Sequence, residues 1–325
     1  MTRPIVFILA VLSILFSCAP QCRAAWIWTP ETNKWINPKH AVKDTSQDQL
    51  TYAMTFFEEN NYKRAASEFG KLVKYYPNSQ HAPVAQYYLG RSFEGAEEYF
   101  RAYIEYQKVI EGYPHAKNRE EIIMRQYKIG VLFYEGQKAK VLGLAVLPAS
   151  DKAIEIFEQI ITNSPYGDYA AQSQFKIGES YKSTNRFAEA VIAFQRLMDN
   201  HPSSDLAEKA KYEVAQCGYL ASLSYSYDQE TTDAAIDKFK EFLADTDQGE
   251  LSEAAKEALK KLREKKAQSL YDTAKFYERA GQPPSAVLYY KELVSKYPES
   301  PLAAESLSRV MKIENGLEKR KKRQI

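Results

Sequence analysis

The stretch Ile177 to Pro202, IGESYKSTNRFAEAVIAFQRLMDNHP, decides the fold, because the rest of the chain repeats it with variations. It reads as two helices and a turn. Ile177, Gly178 and Tyr181 fall at i, i+1 and i+4, so one helical face carries a large residue beside a gap where a neighbouring helix can approach. Thr184, Asn185 and Arg186 interrupt the pattern. Ala190, Phe194 and Leu197 then recur at i, i+4 and i+7 as a narrow apolar stripe. Pro202 ends it, since proline disfavours the α region in the residue before it. One such hairpin cannot bury both stripes and needs copies of itself on either side.

The copies are present. An alanine followed four residues later by an aromatic recurs as Ala65/Phe69, Ala102/Tyr106, Ala153/Phe157, Ala190/Phe194, Ala235/Phe239 and Ala286/Tyr290. A proline stands eight residues after the aromatic in five of these six units, as Pro77, Pro114, Pro165, Pro202 and Pro298, with Asp247 in the remaining one. The first-helix signature recurs as Leu89-Gly90 with Phe93 and Ile129-Gly130 with Phe133, and more loosely as Tyr52-Ala53 with Phe56 and Thr273-Ala274 with Tyr277. The pattern resembles the tetratricopeptide repeat (TPR), with its period of about 34 residues and its L-G…Y…A…F…P signature. Most linkers here are three residues longer. The expected fold class is all-α, a right-handed superhelical TPR solenoid of five to six helix-turn-helix units.

At 325 residues and 45% hydrophobic, the chain can bury a sizeable core, and stacked repeats do so without one large globular centre. Only 13 glycines leave little for phosphate-cradling loops. The net charge is +2, but Arg3 and Arg23 lie in or near an N-terminal leader, and Lys319, Arg320, Lys321, Lys322 and Arg323 bunch at the end. Without those seven the body carries about −5, which argues against a nucleic-acid groove. Residues 1–24 read as a secretion signal: Arg3 is the positive n-region, and Ile5 to Phe16 is an apolar run too short to span a bilayer. Leu15-Phe16-Ser17-Cys18 resembles a bacterial lipobox, which makes Cys18 the expected lipidation site. Ordinary cleavage after Ala24 is the alternative, and would leave a soluble periplasmic protein. Cys217 is the sole cysteine beyond the leader region, and a buried, inert thiol is expected there.

Residues 25–46 hold all three tryptophans, Trp26, Trp28 and Trp35, and show no helical period, so an extended segment is expected. Its rings suit either a bilayer surface or a cap over the first repeat. TPR units one to five occupy 47–247. In unit three an insertion carries Val141, Leu142, Leu144, Val146 and Leu147, an apolar loop that either packs on its own repeat or contacts a partner or membrane. Unit five has Gly218 where an aromatic is expected. Residues 248–317 comprise a long charged helix from Glu250 to Arg279, TPR unit six and a capping helix from Leu302 to Leu317, and 318–325 form a basic tail. That tail is solvated by default, with anionic lipid headgroups as a second role.

No GxxxxGK[ST], HExxH, GxSxG or CxxC motif is present. His81, His115 and His201 each stand in a separate inter-repeat linker and His40 precedes the repeats, so neither a metal site nor a cofactor is expected. The reading is therefore a non-enzymatic binding surface. In TPR arrays the first helix of each unit lines the concave face. The corresponding positions are Leu50, Met54 and Phe57 in unit one, Tyr87 and Arg91 in unit two, and Tyr127, Val131 and Tyr134 in unit three. Phe175, Glu179 and Lys182 in unit four are mixed in character. An apolar, aromatic groove with one arginine suits an extended peptide that ends in an aromatic side chain and a carboxylate.

A lipobox-like cysteine followed by Phe69-Gly70-Lys71-Leu72-Val73, Tyr76-Pro77, Ser79, Ala82, Ala85, Tyr87 and Leu89-Gly90 resembles the BamD (YfiO) family of outer-membrane β-barrel assembly lipoproteins. The resemblance spans roughly Gln47 to Asp247, and the unit from Glu250 onward has no evident counterpart in it. It implies a lipid-anchored protein on the periplasmic face of the outer membrane. Its partners would be a BamA-like barrel insertase and other assembly lipoproteins, together with the aromatic C-terminal signal of unfolded outer-membrane proteins. The alternative is a CpoB/YbgF-like periplasmic TPR protein that coordinates envelope or division machinery. That family has an N-terminal coiled coil, and no heptads precede the repeats here.

Overall fold

The computed structural model describes residues 27–29, 34–36, 41–136, 140–141, 144–145, 149–224, 229–246 and 249–323. Among these residues the chain forms thirteen α-helices and two short hairpins. The helices are α1 (Ser46–Glu58), α2 (Tyr62–Tyr75), α3 (Ala82–Gly95), α4 (Tyr99–Gly112), α5 (Arg119–Tyr134), α6 (Ala149–Asn163) and α7 (Ala170–Ser183). They continue as α8 (Phe187–Asn200), α9 (Leu206–Ser224), α10 (Gln229–Asp245), α11 (Glu250–Arg279), α12 (Pro283–Lys296) and α13 (Leu302–Arg323). Two compact units result, one ending at Ala96 and the other beginning at Glu97. In the first, α2 packs on α1 and α3; in the second, each helix from α4 onward packs on the next.

Every alanine and aromatic of the six recurring pairs is essentially fully buried. The glycine gap has a clear physical role. A Cβ built on Gly178 would lie 2.5 Å from the Phe194 ring, and one on Gly130 would lie 2.7 Å from Phe157, so only glycine lets the second helix come that close. In unit five Gly218 takes the aromatic's place, and Ala235 fills the space, its Cβ 3.2 Å from where a Gly218 Cβ would be.

The turns repeat as faithfully as the helices. Asn60, Glu97, Gly136, Asn185 and Gly281 adopt positive φ just past the first helix of their units. The amides of Asn61, Arg186 and Gln282 then donate to the carbonyls of Phe56, Tyr181 and Tyr277, at 2.8, 2.9 and 3.0 Å, closing Schellman-type ends. At the other end of each hairpin, Ser79, Ala116, Gly167, Ser204 and Ser300 donate to the carbonyl that precedes the repeat proline by one residue. Proline at the second turn position presets φ for that bend. Buried glutamines add a tie between helices: Gln49 Nε2 donates to the Glu68 carbonyl at 3.0 Å, and Gln174 Nε2 to the Ala193 carbonyl at 2.9 Å.

α11 serves two cores. Ala255, Ala258 and Leu262 pack with Phe239 and Phe242 of α10, whereas Ala267, Tyr271 and Ala274 pack with Tyr290 and Leu293 of α12. α13 does not stop at Leu317 but runs through Arg323, so the whole basic cluster continues a helix instead of forming a separate tail. Strands β1 (Ile27–Thr29) and β2 (Lys34–Ile36) pair antiparallel with Trp28 opposite Trp35, so the tryptophan segment is extended as a hairpin. Just before α1, the Tyr76 hydroxyl donates to the Lys43 carbonyl at 2.5 Å, and the Lys43 amide donates to Gln49 Oε1 at 2.9 Å. In the unit-three insertion, β3 (Lys140–Val141) and β4 (Leu144–Ala145) form a second antiparallel hairpin, with β3 beside α4.

Candidate peptide-binding faces

In the first compact unit, Leu50, Met54 and Phe57 stand at i, i+4 and i+7 of α1 and are all half-buried. Tyr87 and Arg91 are four apart on α3. The Phe57 ring meets Tyr88 edge-on at 5.1 Å and also contacts Tyr62 at 5.7 Å and Phe69 at 6.4 Å. The Arg91 guanidinium lies 5.7 Å from the Phe57 ring centre and 5.8 Å from that of Tyr87, and it donates to the Tyr87 hydroxyl at 2.9 Å. Phe57, Tyr87 and Arg91 are therefore brought together, with Met54 and Leu50 about one and two turns earlier on α1. Tyr88, which stacks on Phe69 at 5.6 Å, completes the cluster and was not evident from the repeat positions alone.

In the second unit, Tyr127, Val131 and Tyr134 follow the same spacing on α5 and are half-buried. Tyr127 contacts the rings of Tyr169 at 5.0 Å and Phe157 at 5.7 Å, and burial raises its pKa. Burial likewise raises the pKa of Tyr134, whose ring lies 4.4 Å from the Lys176 ammonium. Burial alone pulls Lys176 downward, but the Glu179 carboxylate bonded to it at 2.7 Å outweighs this and leaves its pKa raised. A cavity of about 460 Å³ opens beside Tyr127, lined also by Phe175, Lys176, Glu179, Leu206 and Lys209. Val131 and Tyr134 are not in its wall.

The cavity therefore runs from α5 across α7 to the start of α9. Its wall also holds Gln172, which, like Lys209, stands seven residues after its repeat proline. That offset is the sequence signal for both residues. Lys182 of α7 pairs with Glu213 of α9 beyond the cavity, with only 9% of the Glu213 side chain exposed. Of the insertion residues, Val141 and Leu144 face each other in strand register. Leu142, Val146, Leu147 and Cys18 lie outside the described residues, as does the whole leader. The buried Cys217 thiol has its pKa pushed up to about 12 by burial, which keeps it protonated and unreactive. No helix among the described residues is long and apolar enough to cross a membrane.

Comparison with known proteins places the chain in a family. The TPR profile matches residues 49–79 and 84–116. The profile of the YfiO family, described as outer membrane lipoprotein, matches residues 148–324. The match corrects the expected extent of the resemblance at both ends: it begins at residue 148, beyond Phe69 to Gly90, which carry the resemblance, and it includes the unit from Glu250 onward and α13. Outer membrane protein assembly factor BamD of Caulobacter vibrioides is 21% identical over 161 residues, which is 50% of this chain and 53% of that protein. The chain thus matches about half the length of that curated relative. Solved structures with similar helices include a thermophilic TPR protein from Thermus thermophilus, 15% identical, covering 66% of this chain and 99% of that one, with a TM-score of 0.32. A TPR protein from Parabacteroides merdae is 13% identical, covering 82% of this chain and 98% of that one, also with a TM-score of 0.32. TM-scores this low leave the arrangement of the helices here to their own contacts. With the YfiO profile spanning more than half of the residues, the chain belongs to the YfiO family of outer membrane lipoproteins.

Proposed function

We propose that the chain is a non-enzymatic scaffold of outer-membrane β-barrel assembly, lipid-anchored through Cys18 at the periplasmic face of the outer membrane. It binds a BamA-like insertase with other assembly lipoproteins, and it captures the C-terminal segments of unfolded outer-membrane proteins on the first-helix faces. Family membership supports the assembly role. The observation that carries the capture role is the Phe57, Tyr87 and Arg91 cluster, in which a guanidinium stands beside two rings. Aromatic edges accept another ring, and a guanidinium attracts a terminal carboxylate. Leu50 and Met54 extend that face along α1; Tyr127, Val131 and Tyr134 supply the equivalent face on α5. Val141, Leu142, Leu144, Val146 and Leu147 form the partner or membrane contact loop.

The direct test is binding of a fluorescent peptide that ends in phenylalanine. Tyr87→Ala combined with Tyr127→Ala should weaken it at least tenfold, and unchanged affinity would remove the capture role. Pull-down from detergent-solubilised membranes tests the assembly role separately. A BamA-like insertase in the eluate supports it, whereas Tol or peptidoglycan-synthase proteins support the CpoB/YbgF-like alternative. Labelled fatty acid should enter the wild type and not Cys18→Ala.

A further inference from the structure

α13 departs from the first helices of the repeats in two ways, its basic end and its exposed apolar residues. Ala303 and Val310 anchor α13 to the core it shares with Tyr290 and Leu293, and Ile313 packs at the edge of that core. Beyond Ile313 the helix continues for ten residues, about 15 Å, to Arg323. That projecting part ends in Lys319, Arg320, Lys321, Lys322 and Arg323. On the packed part, Leu307 and Met311, one turn apart, remain 43% and 55% exposed.

The repeat pattern tells what does not cover them. Met311 stands thirteen residues after Pro298, as Gly178 does after Pro165. At Gly178 the ring of the following helix lies 2.5 Å from where a Cβ would be; alanine is accommodated at the equivalent Ala53 and Ala274, but a side chain as long as methionine's leaves no room for a ring at that distance. α13 therefore lacks the gap that receives the second helix's ring at Gly178. Its charge names another occupant. Exposed Lys312 adjoins Met311, Glu314 is neutralised by Lys291 at 2.6 Å, and Glu318 is the one acidic residue left against the terminal basic run. Exposed apolar residues followed by a dense basic cluster on one helix match an anionic bilayer surface.

We propose that α13 is an interfacial arm that docks on anionic phospholipid, with Leu307 and Met311 at the headgroup boundary and the basic run supplying the attraction. It is a second membrane contact, at the opposite end of the chain from Cys18, and does not depend on acylation. The test uses full-length Cys18→Ala protein floated with phosphatidylcholine vesicles and with phosphatidylcholine–phosphatidylglycerol vesicles. The readout is the increment due to phosphatidylglycerol. That increment should disappear at high salt, and it should fall by about tenfold or more in Lys319→Gln/Lys321→Gln/Lys322→Gln, whose helicity should be unchanged because those residues lie past the core. Met311→Asp should lower it independently. Equal flotation on both vesicles, or a triple variant that floats like its parent, overturns the proposal. So does Met311-dependent self-association without vesicles, or capture of polyglutamate with no flotation.

Discussion

On α1 and α3, Phe57, Tyr87 and Arg91 close on one another, and Phe57 has three further rings around it. On α5 and α7, Tyr127 and Phe175 occupy equivalent repeat positions yet border a cavity of about 460 Å³ flanked by Lys176, Glu179 and Lys209. Repeat position alone therefore does not make an aromatic available to a ligand. What matters is whether neighbouring rings already saturate it. In the first compact unit they largely do, and a ligand must meet ring edges and a guanidinium that is already bonded. In the second an open wall offers apolar surface and both signs of charge.

That contrast can be broken by stability measurements. Phe194→Ala, in a fully buried site, should cost about 3–5 kcal/mol in urea unfolding. Phe57→Ala should cost clearly less, since Phe57 is half-buried; an equal loss would make Phe57 core and remove it from the binding face. Next in size, Lys182→Met leaves the nearly buried Glu213 carboxylate unpaired and should cost about 1–3 kcal/mol. Adding Glu213→Gln should recover most of that loss. If it does not, the α7–α9 ion pair is not what holds this face. Arg91→Gln should cost about 1 kcal/mol, because it removes the hydrogen bond to the Tyr87 hydroxyl and the cation–ring contacts with half-buried Phe57 and buried Tyr87. The smallest effect is expected at Cys217. With its pKa at about 12, too little thiolate exists at mildly alkaline pH for alkylation, so mass spectrometry should find it unmodified until denaturant is added.

Much of the fold was legible because the informative pairs are local. Ala190 and Phe194 share a helix face whatever surrounds them, Asn60 and Asn185 tolerate the positive φ that ends a helix, and proline after Tyr76 or Tyr297 presets a turn. The glutamines at 49 and 174 are equally regular in position, but position alone does not name their partners. A buried amide is informative only once its acceptor carbonyl, nineteen residues away, is in place. α13 runs past the expected end at Leu317 to Arg323, because a run of basic residues is compatible with both helix and coil.

The candidate site was legible only as positions. Repeat spacing assigns Phe57, Tyr87 and Arg91 to one face but not their mutual contact, and it does not bring Leu206 and Lys209 beside Tyr127. By itself the sequence determined the repeat, its turns and the buried stripe, since each follows from residues within one or two helical turns. Tertiary structure alone decided which aromatic positions stay open, where the cavity lies and which charges are paired. Those properties depend on side chains from different helices, such as Phe57 with Arg91 and Lys182 with Glu213, meeting more than thirty residues apart in sequence.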